Sequence, residues 1–141
     1  MYFDTSAIVP IVIEESSSID ASRLWDDADR VLSSRLLYAE GRAALAMARR
    51  LDRIDERGLR NAVDDFERLH DQLDVIEITE VLVREAGGLA EQLNLRGFDA
   101  IHLASARLVN DPEMVLAAGD QSLLAAAQVV GIATANLAGH P

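Results

Sequence analysis

Four carboxylates stand where an acidic side chain has chemistry available to it. Asp4 follows Tyr2-Phe3, an apolar pair that reads as the end of a short buried strand. Asp120 follows a second apolar run, Met114 to Ala118, across one glycine. In open parallel sheets, the C-terminal ends of strands at a topological switch point are the usual ligand site. Two carboxylates placed there repel each other unless a divalent cation sits between them. Taken singly, such an acid also serves to cap the next helix or to face solvent. Glu40 lies in the middle of a small and apolar helical stretch, Tyr38-Ala39-Glu40-Gly41, with Leu36, Leu37 and Leu45 nearby. Partial burial there calls for a cation, either an arginine or a metal. Asp99 opens Asp99-Ala100-Ile101-His102-Leu103-Ala104, where it complements a helix dipole or joins the same site. His102, about one turn further on, reads as a hydrogen-bonded core histidine rather than a metal ligand or general base. The chain has no Cys. The donor set is therefore oxygen, which suits Mg2+ or Mn2+ better than Zn2+.

The segments that must position these acids alternate between strand and helix patterns. Thr5-Ser6 offers a turn or helix start, with Ala7 to Val9 helical and Pro10 early enough to be tolerated. Ser16 to Ser18 reads as an N-cap region for a helix over about 19–28. Val31 to Ser34 is a second strand, and 36–51 a helix with Leu37, Ala44, Leu45 and Ala48 on one face. A further helix runs from near Gly58 to about Leu73. Asp74 to Ile78 is a third strand, and Thr79 caps the helix that follows. Gly87-Gly88 inside that helix is costly by propensity, which close packing of another element would explain. Gly97 breaks the chain before a helix over about 98–109. Met114 to Ala118 is a fourth strand, 120–130 a helix and Ile132 to Thr134 a short fifth strand. Strands that are apolar on both faces and alternate with helices predict an α/β fold, its parallel sheet covered on both sides. No repeat or linker divides the chain, so one domain over 1–141 is expected.

Composition narrows the function classes. Half of the 141 residues are apolar, enough for a core, and aromatics are scarce. No apolar run reaches the roughly 18 residues of a membrane helix, and Asp4 interrupts the N-terminus too early for a signal peptide. A soluble, cytoplasmic protein with no membrane partner is expected. The net charge of −11 argues against a nucleic-acid grip exerted by the overall field. A nucleic-acid enzyme can still be acidic where its charge is gathered around metal ions. Every cation besides His is Arg; the absence of Lys removes Walker-type NTPases, Schiff-base enzymes and receiver-type phospho-switches.

The four acids, in this order, resemble the PIN-domain family, and within it the toxin ribonucleases of VapBC toxin–antitoxin pairs. Phe3-Asp4-Thr5-Ser6-Ala7 resembles the opening motif. Tyr38-Ala39-Glu40 with Arg42-Ala43-Ala44-Leu45 is similar to the second. Leu95-Arg96-Gly97-Phe98-Asp99-Ala100-Ile101-His102-Leu103-Ala104 is the most specific match, and Gly119-Asp120-Gln121-Ser122-Leu123-Leu124 resembles the fourth. The likeness covers essentially the whole chain. It implies a three-layer α/β/α sandwich on a five-stranded parallel sheet in the order 3-2-1-4-5. It also implies Mg2+- or Mn2+-dependent cleavage of RNA, with Asp4 and Asp99 as primary ligands and Glu40 and Asp120 completing the site. Thr5 or Ser6 is expected to hydrogen-bond within it. A cognate antitoxin, a homodimer and a toxin–antitoxin hetero-oligomer follow from the same likeness. The antitoxin's C-terminal segment would bring a basic residue into the acids and lay apolar side chains in a groove, part of it formed by exposed Ile11, Val12 and Trp25. One position departs from the pattern: Ala118 stands where family members often carry a Thr, two residues before the fourth acid. Two rival readings are a non-catalytic PIN-like module that only binds a partner, and a haloacid-dehalogenase-type phosphatase with Asp4 as nucleophile. The second lacks its usual Asp two residues on, where Ser6 stands, and its usual Lys.

Overall fold

The computed structural model describes residues 1–138; the last three positions of the domain expected over 1–141 lie outside the described residues. Along the chain run β1 (Tyr2–Phe3), α1 (Thr5–Val12), α2 (Ser18–Asp27), β2 (Leu32–Ser34), α3 (Leu37–Arg50) and α4 (Glu56–Gln72). Then come β3 (Asp74–Ile76), α5 (Glu80–Leu93), α6 (Gly97–Leu108), β4 (Val115–Ala118), α7 (Gln121–Val129) and β5 (Ala133–Asn136). The five strands pair in parallel in the order β3-β2-β1-β4-β5.

Alternation along the short central strands divides the molecule into three layers. Successive strand residues point to opposite faces. Tyr2, Leu116 and Ala118 accordingly join one core with Leu82, Leu103 and Leu123 from α5, α6 and α7. Phe3 and Ala117 join a second core with Ile8, Trp25, Leu45 and Phe66 from α1 to α4. Both faces of β1 are buried because the strand lies in mid-sheet, with β2 on one side and β4 on the other. A two-residue strand suffices only because its neighbours and both helical layers hold it.

Three expectations fail in instructive ways. Helix α1 begins at Thr5, so Pro10 lies past its first turn, and the helix ends soon after at Val12. Gly87 and Gly88 are exposed, and a side chain at either would meet nothing within 4 Å. No packing explains them. The close approach is made by Gly41 instead: a Cβ there would fall 2.4 Å from the Phe66 ring, so α3 and α4 meet only because that position carries no side chain. Trp25 is not exposed; it is 8% accessible and packs on Phe3 with ring centroids 5.2 Å apart. An amphipathic helix as short as α2 hides its largest apolar residue beneath it. Ile11 and Val12 are half-buried against the same core.

Candidate active site

All four acids sit at helix N-termini. Asp4 is the N-cap of α1, its Oδ1 accepting from the Ala7 amide at 3.2 Å. Asp120 is the N-cap of α7, its Oδ1 accepting from the Leu123 amide at 3.0 Å. Glu40 and Asp99 fall in the first turns of α3 and α6. Unpaired amides and the positive end of the helix dipole favour carboxylates at each position. The capping role and a shared site are therefore compatible. The sheet aims these helix starts inward, and Asp4, Glu40, Asp99 and Asp120 line one cavity together with Thr5, Ser6, Arg96 and His102.

Asp4 and Glu40 are anchored by hydrogen bonds from within the fold. Asp4 is 4% exposed. Burial pushes its carboxyl up to about 6, and Asp99 adds to the rise, against the lowering effect of His102, the Ser6 hydroxyl and the Ala7 amide. Ser6 Oγ donates to Asp4 Oδ1 at 2.7 Å and accepts from the Gly119 amide at 2.7 Å. One hydroxyl thereby ties the first acid to the residue preceding the fourth. With Ala118 in place of a hydroxyl residue, the link between those two acids comes from α1. Glu40 Oε1 accepts from Thr5 Oγ1 at 2.8 Å and lies 2.6 Å from His102 Nε2. Burial raises the Glu40 carboxyl, but the hydrogen bonds from His102 and Thr5 and the charge of Arg96 outweigh it and hold it below the ordinary value. An ionised carboxylate only accepts, so His102 Nε2 carries the proton; in the neutral ring Nδ1 then accepts the Tyr2 hydroxyl, 2.7 Å away. Buried His102 is thus saturated by hydrogen bonds within the fold, while its outer nitrogen fixes Glu40.

Asp99 and Asp120 share an arginine. Arg96 donates from Nε to Asp99 Oδ2 and from its terminal nitrogen to Asp120 Oδ2, both at 2.9 Å. Hydrogen bonds and charge from Asp99, then the charge of Asp120, raise the guanidinium further above its ordinary value. Sequence reasoning gave Arg96 no role. Its three-residue spacing from Asp99 across a helix start was the available signal, but the contact to Asp120 depends on the fold. Asp120 uses both oxygens, but the other three acids each spend one on the anchor: Oδ1 in Asp4, Oε1 in Glu40 and Oδ2 in Asp99. The second oxygen of these three makes no hydrogen bond among the described residues. As placed, no three carboxylate or imidazole groups close around a single ion-sized point among the described residues. The donor set nevertheless fits a hard divalent cation: four carboxylates, one of them deeply buried, face one cavity.

Beyond the acids, the cavity wall carries an apolar stretch, formed by Val9 of α1 and Ile13 just after it and by Ala44, Met47 and Ala48 of α3 with Leu51 just after it, beside the ion pair of Arg53 and Glu15. This surface, rather than Ile11, Val12 and Trp25, borders the acidic cluster.

Comparisons with known proteins agree with this geometry. The model of the PIN domain matches residues 1–133. Ribonuclease VapC45 of Mycobacterium tuberculosis is 44% identical over 131 residues, covering 93% of this chain and 91% of the relative. The crystal structure of VapC20 from the same species, a sarcin-ricin loop cleaving toxin, superposes with a TM-score of 0.68 at 22% identity, covering 89% of this chain and 93% of the other. A toxin–antitoxin complex from Klebsiella pneumoniae matches with a TM-score of 0.67 at 16% identity and 96% coverage of each chain. From the order of its strands, the arrangement of its acids and these likenesses, the chain belongs to the PIN-domain family, among its VapC-type ribonucleases.

Proposed function

We propose that the acidic cavity is the catalytic centre of a Mg2+- or Mn2+-dependent endoribonuclease, the toxin of a type II toxin–antitoxin pair. The observation that supports this most directly is the meeting of Asp4, Glu40, Asp99 and Asp120, from four separate parts of the chain, on one cavity. Asp4 and Asp99 are the primary metal ligands, with Glu40 and Asp120 completing the set directly or through water. A bound divalent ion supplies Lewis acidity toward the phosphodiester and toward the water that attacks it. The chain's own residues prepare that chemistry. Ser6 and the Ala7 amide fix the plane of the Asp4 carboxylate. His102 and Thr5 keep Glu40 ionised and hold its Oε1 in place, leaving Oε2 without a hydrogen bond among the described residues. The α1 and α7 N-termini hold Asp4 and Asp120 at the ends of adjacent strands.

The ligand assignment is tested by soaking crystals in Mn2+ and recording anomalous density. Density among these four residues, with oxygen distances of roughly 2.0–2.6 Å, is the expected result. Density elsewhere would overturn the assignment.

The partner this site calls for is an antitoxin segment carrying an arginine, since a guanidinium fork engages two carboxylates at once. Support comes from the net charge of −11 and from the apolar wall of Val9, Ile13, Met47 and Leu51 beside the acids. The toxin–antitoxin complex among the structural likenesses points the same way. A homodimer acting in the cytoplasm, folded as one domain over 1–141, completes the reading. No helix among the described residues is long and apolar enough to cross a membrane.

A further inference from the structure

An acidic protein that cuts a polyanion needs a local cation to meet the phosphate backbone. Two arginines line the acidic cavity among the described residues, and Arg53 is bound to Glu15 at 3.0 Å. Arg96 is placed differently. Its side chain is 78% exposed, and its partners are two carboxylates that a divalent ion would claim. A second cavity adjoins the first, sharing Glu40, Arg96 and Asp99 with it and adding Gly97 and Phe98. Phe98 is 60% exposed, whereas Phe3 and Phe66 are fully buried. A side chain at Gly97 would meet nothing within 4 Å, so the space around the turn that carries Arg96 and Phe98 is open. An aromatic ring left in water at the lip of a polar cavity gains nothing in the free protein. Bases of single-stranded RNA stack on such rings, and the phosphates beside them pair with arginine.

We propose that Arg96 and Phe98 form a nucleotide subsite at the edge of the catalytic cavity, with the acidic cavity taken as the ribonuclease centre described above. Phe98 stacks one base of single-stranded RNA next to the cleaved bond, and Arg96 takes the neighbouring phosphate. The guanidinium lies between Asp99 and Asp120 and offsets part of their charge. With those oxygens engaged by a divalent ion, Arg96 would be free to turn to the phosphate. Arg96 is therefore a competitor of the metal and a partner of the RNA, and its removal moves the two affinities in opposite directions.

The test measures two affinities in the intact protein: Mn2+ by titration calorimetry, and a labelled short oligouridylate by fluorescence anisotropy with Ca2+ present. Phe98→Ala is expected to weaken oligouridylate binding roughly ten-fold. Phe98→Tyr should retain it, Phe98→Leu should not, and none of the three should change Mn2+ affinity. Arg96→Gln is expected to bind Mn2+ about three-fold tighter or more and the oligouridylate roughly ten-fold more weakly. Melting curves establish that each variant folds. Unchanged oligouridylate binding in Phe98→Ala, equal rescue by Leu and Tyr, or a joint fall of both affinities in Arg96→Gln would each overturn the subsite. Absence of Mn2+ binding in the wild-type protein would instead remove the metal assignment, and the oligouridylate measurements would still decide the subsite.

Discussion

The two halves of the acidic cluster are held by opposite means. Asp4 and Glu40 are fixed from within, by Ser6, the Ala7 amide, Thr5 and His102, and none of these donors is a permanent cation. Asp99 and Asp120 are held from outside, by one solvent-exposed guanidinium. Burial shields the hydrogen bonds of Asp4 from salt and water, and those of Glu40 come from side chains fixed within the fold. The Arg96 ion pairs, made by an exposed side chain, are screened and exchangeable. The contrast separates a preorganised floor from a rim whose counter-ion can be replaced.

Removing a carboxylate from either half has the largest expected effect on activity and separates the halves by stability. Asp4→Asn and Asp99→Asn should each lower RNA cleavage by roughly a thousand-fold or more, as losses at a catalytic centre do. Their metal-free melting temperatures should diverge. Asp4→Asn removes a buried charge yet keeps an oxygen for Ser6 and Ala7, so it should melt higher. Asp99→Asn loosens only an exposed ion pair, worth about 1 kcal/mol or less. Equal shifts of both melting temperatures would erase the distinction between floor and rim.

The pH dependence of stability sharpens the same contrast. The Asp4 carboxyl sits at about 6 in the folded protein, against 3.8 when free. The folded state therefore holds the proton more tightly, and the stabilisation from Asp4 is complete below about 4 and lost as pH rises to about 6. Urea unfolding of the metal-free protein should show a decline across that window of up to about 3 kcal/mol. Asp4→Asn should flatten this component; a decline that persists unchanged in Asp4→Asn would assign it to another group.

Smaller effects are expected from the donors. His102→Gln should cost about 1–3 kcal/mol in urea unfolding, because a buried bridge between Tyr2 and Glu40 is broken. Its effect on Mn2+ affinity should be smaller than that of Asp4→Asn. Ser6→Ala, which unties Asp4 from Gly119, should cost about 1 kcal/mol and slow cleavage by roughly ten-fold. Thr5→Ala should be the mildest, since His102 still holds Glu40 Oε1; measured kcat should fall less than in Ser6→Ala.

Much of this was legible in the chain because the acids sit inside short local patterns. An apolar pair before Asp4, and an apolar run and a glycine before Asp120, mark strand ends. The alternation of elements then gives the parallel sheet. What could not be read was set by tertiary placement. Thirteen arginines look alike in sequence, and only the fold brings Arg96 between acids from α6 and α7. Tyr2 and His102 meet across 100 positions of chain. Trp25 looked exposed because an apolar residue in a polar helix leaves its direction open until the neighbouring layer is known. Gly87-Gly88 and Gly41 illustrate the same limit: propensity marks a glycine in a helix as costly, but only Phe66 beside Gly41 shows where the cost has a structural reason.

The bond between Ser6 and the Gly119 amide spans 113 positions of chain. β1, with both neighbours required for its burial, cannot be completed before β4 is present. During synthesis the first acid therefore emerges long before the last, and a chain still short of β4 has neither the central strand pairing nor the fourth carboxylate. Non-local parallel pairings of this kind also form slowly, since the intervening chain must be ordered before they contribute. A ribonuclease of this fold would thus be born inactive. The interval between synthesis and assembly of the sheet gives a newly made partner time to meet it.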